Sequence, residues 1–135
     1  MPAHRILIAD DDQFLRDLVR QKLGMLGYQA FLARDGVEAV RRAYETRPDL
    51  IILDMKMPEM DGFQTLSRLK ADPELAGIPV LMLTAARGEA DVRNALRLGA
   101  VDYVAKPFQL DAFCERIRRI LDARHQAPEP VQVLL

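Results

Sequence analysis

The stretch DLIILDMKMPEMDG, residues 49–62, runs four large apolar residues, Leu50 to Leu53, straight into Asp54, then reaches a proline and an Asp-Gly pair. Four apolar residues in a row are too few for a helix. They read as a strand covered on both faces, as in a parallel sheet with helices on each side. A carboxylate is costly to bury, so an acid at the end of such a strand needs a reason.

Outward from this stretch, short β-rich runs alternate with runs of helical period. RILIA (5–9), YQAFLA (28–33), LIIL (50–53), IPVLML (78–83) and VDYVA (101–105) read as strands. Between and after them come five helices. The run 13–26 places Phe14, Leu15, Leu18, Val19 and Leu23 on one face, with Asp12 placed to cap it and Gly24 and Gly27 where it should stop. The run 36–46 turns Val37, Val40, Ala43 and Tyr44 inward and ends before Pro48. The run 62–72 follows a capping Asp61, the run 88–99 ends on Gly99, and 110–123 carries Leu110, Phe113, Cys114, Ile117, Ile120 and Leu121 at helical spacing. A strand-helix order repeated five times with short connections predicts an α/β, doubly wound five-stranded parallel sheet with right-handed crossovers. Residues 1–123 form one domain, and 124–135 read as a flexible tail or linker unless the apolar VQVLL (131–135) docks on the domain or on a neighbour.

The bulk numbers exclude several classes. The chain has 135 residues, 50% of them hydrophobic, and a net charge of −1 from 19 basic and 20 acidic side chains. That balance provides no global field for collecting nucleic acid or anionic lipid. One cysteine allows no internal disulfide, and Cys114, on an apolar helix face, reads as a buried small residue. No run approaches a spanning helix and the first residues do not read as a signal peptide, so a cytoplasmic protein is expected.

Ligands of open α/β sheets gather beyond the carboxyl ends of the strands. There the first strand ends in Asp10, Asp11 and Asp12, the third in Asp54, the fourth in Thr84, and the fifth is followed by Lys106. If the first and third strands are neighbours, Asp10, Asp11 and Asp54 meet. Each pair of carboxylates ~4 Å apart then costs about 4 kcal/mol at an effective dielectric of ~20. Lys106 offsets one charge, and a hard divalent cation offsets more. Magnesium suits a site with few protein ligands and several waters, and the absence of His or Cys beside these acids argues against zinc or copper. A carboxylate can also be a nucleophile and form an acyl phosphate. Metal, hydroxyl and ammonium converging on Asp54 suit an incoming phosphoryl group, whose transfer depends on positioning and charge neutralisation.

The motifs ILIADDD, LIILDMKMPEMDG, VLMLTA and DYVAKPF, in that order, closely resemble the receiver domains of bacterial two-component response regulators, the CheY-like family. The resemblance covers residues 4 to about 122 and implies the flavodoxin-like strand order 2-1-3-4-5. It further implies Asp54 as phosphoacceptor, Asp11 as direct magnesium ligand, Asp10 reaching the metal through water, and the backbone carbonyl of Lys56 as a further ligand, with Mn2+ able to substitute for Mg2+. Thr84 resembles the switch hydroxyl, Lys106 the lysine that binds first an acid and then the phosphoryl group, and Tyr103 the switch aromatic. A cis peptide before Pro107 is implied. Lys56 and Ala86 occupy the two positions that tune hydrolysis.

The resemblance implies phosphorylation by a sensor histidine kinase or a histidine phosphotransfer protein. The chain would catalyse its own phosphorylation and dephosphorylation only, and would alter the face of the fourth helix, fifth strand and fifth helix. That face would serve a downstream protein target, an output domain, or a phosphorylation-linked homodimer, with no nucleic acid or membrane bound by this domain. A phosphorelay shuttle and a module of a longer regulator stay open. A magnesium phosphohydrolase is disfavoured because Lys56 stands where such enzymes often carry a second acid, and a degenerate binding module is disfavoured by the complete acid, threonine and lysine set. Met55, Met57 and Met60 read as packing, and Arg87, Arg93 and Arg97 as either a solvated face or a partner surface.

Overall fold

The computed structural model describes residues 3–85 and 89–126; for Thr84, Glu89, His125 and Gln126 only the backbone is described. Five strands, β1 (Arg5–Ala9), β2 (Gln29–Ala33), β3 (Leu50–Leu53), β4 (Val80–Thr84) and β5 (Asp102–Ala105), alternate with α1 (Gln13–Met25), α2 (Gly36–Thr46), α3 (Gly62–Ala71), α4 (Glu89–Arg97) and α5 (Leu110–Gln126). All strand pairs are parallel, in the order β2-β1-β3-β4-β5. The expected α/β architecture and strand order are both present.

Alternation along the strands divides the core into two layers. Leu7, Ile51, Leu53, Val80 and Met82 face one side, against Ala39, Val40 and Ala43 of α2, Leu66 and Leu69 of α3, and Ala95 of α4. Ile6, Ile8, Leu50, Ile52, Leu81 and Leu83 face the other, against Val19 and Leu23 of α1 and Phe113, Ile117 and Leu121 of α5. A strand buried on both faces has no polar positions to spare, which is why LIIL is apolar throughout.

Local signals set the helix starts. Asp12 accepts from the amides of Phe14 and Leu15. Asp35 caps α2 through Glu38 N. Asp61 and Gln64 form a reciprocal capping box at α3. The α2 helix stops at Arg47, which is left-handed at φ 46° and donates its amide to Ala43 O.

Several sequence expectations shift. Phe14 is 76% exposed and Leu18 also faces solvent, where both were expected inward. At about 100° per residue, the buried arc of α1 is centred on Leu15, Val19 and Leu23, and Phe14 and Leu18 fall on its flank. Val37 and Tyr44 are likewise exposed, because α2 turns Ala39, Val40 and Ala43 to the sheet. The fourth strand begins at Val80 instead of 78: Pro79 has no amide to donate to a ladder, although its carbonyl accepts from Ile51 N at 3.0 Å. The last helix continues to Gln126, three residues past the expected boundary at 123, so the expected tail begins as helix; residues 127–135 lie outside the described residues. Cys114 is buried, and burial pushes its thiol up, consistent with a packing role.

Candidate functional site

Register brings the acids together. Ala9 of β1 is paired with Leu53 of β3, so both strands end at the same level and Asp10 and Asp54 emerge side by side. The ladder continues one step into the site, since Asp54 N donates to Ala9 O at 2.9 Å and Asp10 N to Ala33 O at 3.1 Å. Asp10 and Asp54 are buried, while Asp11 is exposed at the mouth. One carboxylate oxygen from each of Asp10, Asp11 and Asp54 lies within 4.8 Å of the others.

Lys106 reaches into this cluster from the loop after β5. Its Nζ donates to Asp10 Oδ2 at 2.7 Å and to Asp54 Oδ2 at 3.3 Å. The peptide between Lys106 and Pro107 is cis, as the resemblance implied. Burial raises the Asp10 carboxyl above its ordinary value, and the Asp54 charge adds to this; the Lys106 hydrogen bond and the Asp12 amide act the other way. For Lys106, burial works against the charge, yet the hydrogen bond and charge of Asp10 and the charge of Asp54 outweigh it and hold the ammonium above its usual value. The pocket is therefore a partly buried cation shared between two buried acids, with a third acid at the rim.

The backbone around the acids is also tied down. Asp12 N donates to Asp10 Oδ1 at 2.9 Å, and Arg16 Nη1 donates to Asp10 O at 2.7 Å. Lys56 N lies 3.4 Å from Asp54 Oδ1, and Gly62 N closes the β3–α3 loop on Met55 O at 2.8 Å. A Cβ at Gly62 would collide with the Asp54 carbonyl oxygen and the Met55 backbone, so this glycine lets α3 begin directly against the site. Beside the acids opens a cleft of about 770 Å3 that includes Asp11, Lys56, Met57, Asp61, Phe63 and Asp91.

Arg16, Gly62 and Asp91 were missed in the sequence. The Asp-Gly pair ending the β3–α3 loop was a legible signal for Gly62. Nothing in spacing singles out Arg16 or Asp91, which reach the site only through helix placement. Of the expected residues, Asp10, Asp11, Asp54 and Lys106 come together. Thr84 ends β4 in register with Ala105, and its side chain lies outside the described atoms, as does Ala86. Tyr103 is half-buried, in register with Met82 and packed against the α2–α3–α4 side of the core; burial and the Asp91 charge raise its phenol. Met55 and Met57 are buried and Met60 packs against the same cluster, as expected.

Three oxygen-donor acids within reach of one another, with no imidazole or thiolate in the cluster, suit a hard divalent cation. A doubly wound sheet with buried acids and a lysine at its carboxyl edge matches the arrangement that the resemblance to receiver domains implied. The family model of the response regulator receiver domain matches residues 6–118, and the chain belongs to that family. Receiver domains bind Mg2+ generally, and they are signalling modules, not conventional enzymes.

The chain is 42% identical over 125 residues to the DNA-binding dual master transcriptional regulator RpaA of Synechocystis, covering 93% of this chain and 52% of that protein. It is 38% identical over 125 residues to the response regulator MprA of Mycobacterium, covering 93% and 53%. The chain thus spans about half the length of these curated relatives. Among solved structures, the signal receiver domain of a signal transduction histidine kinase from Syntrophus aciditrophicus superposes with a TM-score of 0.84 at 38% identity, covering 98% of each chain. The chemotaxis protein CheY4 of Vibrio cholerae gives 0.83 at 30% identity, covering 87% of this chain and 98% of that one. Among the described residues, no helix is long and apolar enough to cross a membrane.

Proposed function

We propose that Asp54 accepts a phosphoryl group from the phosphohistidine of a sensor histidine kinase or histidine phosphotransfer protein. The observation that carries this reading is the Lys106 ammonium shared between Asp10 and Asp54 at the carboxyl edge of the sheet. An Asp54 carboxylate oxygen attacks phosphorus. An O–P bond forms as the P–N bond to the donor imidazole breaks, and the imidazole nitrogen keeps that electron pair. Lys106 passes from the acid to a phosphoryl oxygen, so its charge follows the charge that arrives. Asp10, held by Lys106, Asp12 N and Arg16, fixes the floor of the pocket. Asp11, Asp54 and the Lys56 carbonyl would hold Mg2+, or Mn2+ in its place, with Asp10 acting through water. When bound, the metal supplies neutralisation of the acids and of the incoming phosphoryl oxygens.

Phosphorylation adds about −1.5 to −2 charges at Asp54. Thr84 and Lys106 are drawn toward them, Tyr103 turns inward, and the α4–β5–α5 face changes for a downstream target, an output domain or a second copy. The transcriptional regulators that the chain matches over about half their length make an output domain one candidate for the partner of this face.

Incubation with acetyl phosphate and MgCl2 tests the reading. Intact mass should rise by one phosphoryl group, with no labelling after Asp54→Asn or chelation of the metal. An unlabelled protein, or labelling that survives Asp54→Asn, overturns it.

A further inference from the structure

At the opposite end of the sheet from the acids lies a second groove. It opens between the residues that lead into β4 and β5 and the last turns of α5. Its apolar floor is Pro79, Val101, Ile120 and Ala123, and its rim carries Arg116, Arg119 and Arg124 against one acid, Asp102. Arg116 is paired with Asp102 at 2.8 Å, and Arg124 donates to Asp49 O at 2.6 Å. Arg119 is 71% exposed, against 43% for Arg116, with Glu115 3.6 Å away on its own helix. Val101 is half exposed and borders the groove beside the partly buried strand β5.

The described chain leaves α5 at Gln126, three residues beyond the groove-lining Ala123. Beyond Gln126 the sequence reads APEPVQVLL, residues 127–135. It has one acid, Glu129, and no base. Pro128 and Pro130 are residues that disfavour helix and favour extended backbone. In an extended VQVLL, Val131, Val133 and Leu135 share one face.

The lengths agree. From Gln126 back to Arg116 along α5 is about 15 Å at 1.5 Å per residue. Five extended residues span about 16 Å. Ala127 to Pro130 are then available to reverse the chain.

We propose that this groove is the docking site of the chain's own residues 127–135. The segment turns back at the foot of α5, sets Glu129 among Arg119 and Arg124, and lays Val131, Val133 and Leu135 over Val101, Ile120 and Pro79. Charge and polarity match: a basic rim takes the single acid, and an apolar floor with a half-exposed Val101 takes an apolar stripe. A partner that uses the foot of the β5–α5 surface must first displace this segment. The inference does not depend on the phosphoryl chemistry at Asp54.

Methyl NMR on the full chain tests it without altering any residue of the acid pocket. The methyls of Val101 and Ile120 are read against Ile51, buried mid-sheet, in the parent chain and in Val133→Asp. Docking predicts that Val133→Asp shifts Val101 and Ile120 and leaves Ile51 in place, with the parent spectrum unchanged on tenfold dilution. Arg119→Glu should shift the same methyls, and Arg119→Glu with Glu129→Arg should return them toward the parent positions. Val101 and Ile120 methyls that do not respond to Val133→Asp overturn the proposal. So does a response that fades on dilution, because the segment would then be docking on a second copy.

Discussion

The two ends of the sheet both carry acid-base contacts, under opposite conditions. At the carboxyl end, Lys106 bridges two buried acids, Asp10 and Asp54. At the other end, Asp49 stands 3.6 Å from an exposed His4, accepts from Arg5 N, and carries a backbone carbonyl bonded by Arg124. Water screens the second set more than the first, whose two paired acids are buried. The same pairing therefore differs in energetic weight. A lone buried charge costs several kcal/mol, whereas a solvent-facing pair contributes about 0–1 kcal/mol. The foot of the sheet fastens the chain; the head stores repulsion that an incoming group can relieve.

The largest test of this contrast is Lys106→Met. It leaves Asp10 and Asp54 together without their cation and should lower stability by about 3 kcal/mol at neutral pH without divalent ions, measured by urea unfolding. The loss should shrink as the solution is acidified. The Asp10 carboxyl is raised in the folded state by burial. Its protonated form is therefore favoured by folding, and that contribution is complete below the unfolded value and is lost as pH rises through the folded one. A loss independent of pH would mean that Lys106 acts through packing and not through charge.

Gly62→Ala should cost about 1–3 kcal/mol, because the added methyl meets the Asp54 carbonyl and the Met55 backbone, neither of which can swing aside. It should also slow labelling by acetyl phosphate. Full labelling in a destabilised protein would separate the loop's structural role from the acceptor's geometry.

Mg2+ should raise the unfolding midpoint by relieving the head, with about 1.4 kcal/mol at ten times its dissociation constant. Asp11→Asn should remove most of that gain, and NaCl at matched ionic strength should not reproduce it. Equal stabilisation by NaCl would mean general screening. The smallest effect is expected at the foot. Asp49→Asn should change stability by less than about 1 kcal/mol, fading in salt. A larger loss would remove the distinction between the two ends.

Much of this was legible in the residues. Strand and helix order followed from periodicity, and the strand ends located Asp10, Asp11, Asp54 and Lys106. The caps at Asp12 and Asp61 were readable because a cap is a local hydrogen bond between near neighbours. The faces of α1 and α2 were read too broadly. Phe14, Leu18, Val37 and Tyr44 are apolar at helical spacing, but only the angle at which a helix meets the sheet decides which side of the stripe is covered. Arg16 and Asp91 gave no signal, because each meets the site by the placement of a whole helix.

The sequence alone determined the alternation of elements, the acids at the strand ends and the caps, since each depends on residues a few positions apart and on the preference of side chains for water or its absence. Only the tertiary structure decided that Asp10 and Asp54 stand in one register, that a lysine 96 positions from Asp10 reaches between them, and that a basic-rimmed groove lies at the far end. Those depend on distances between segments remote in the chain, which are set by packing and register and are not written in any local pattern.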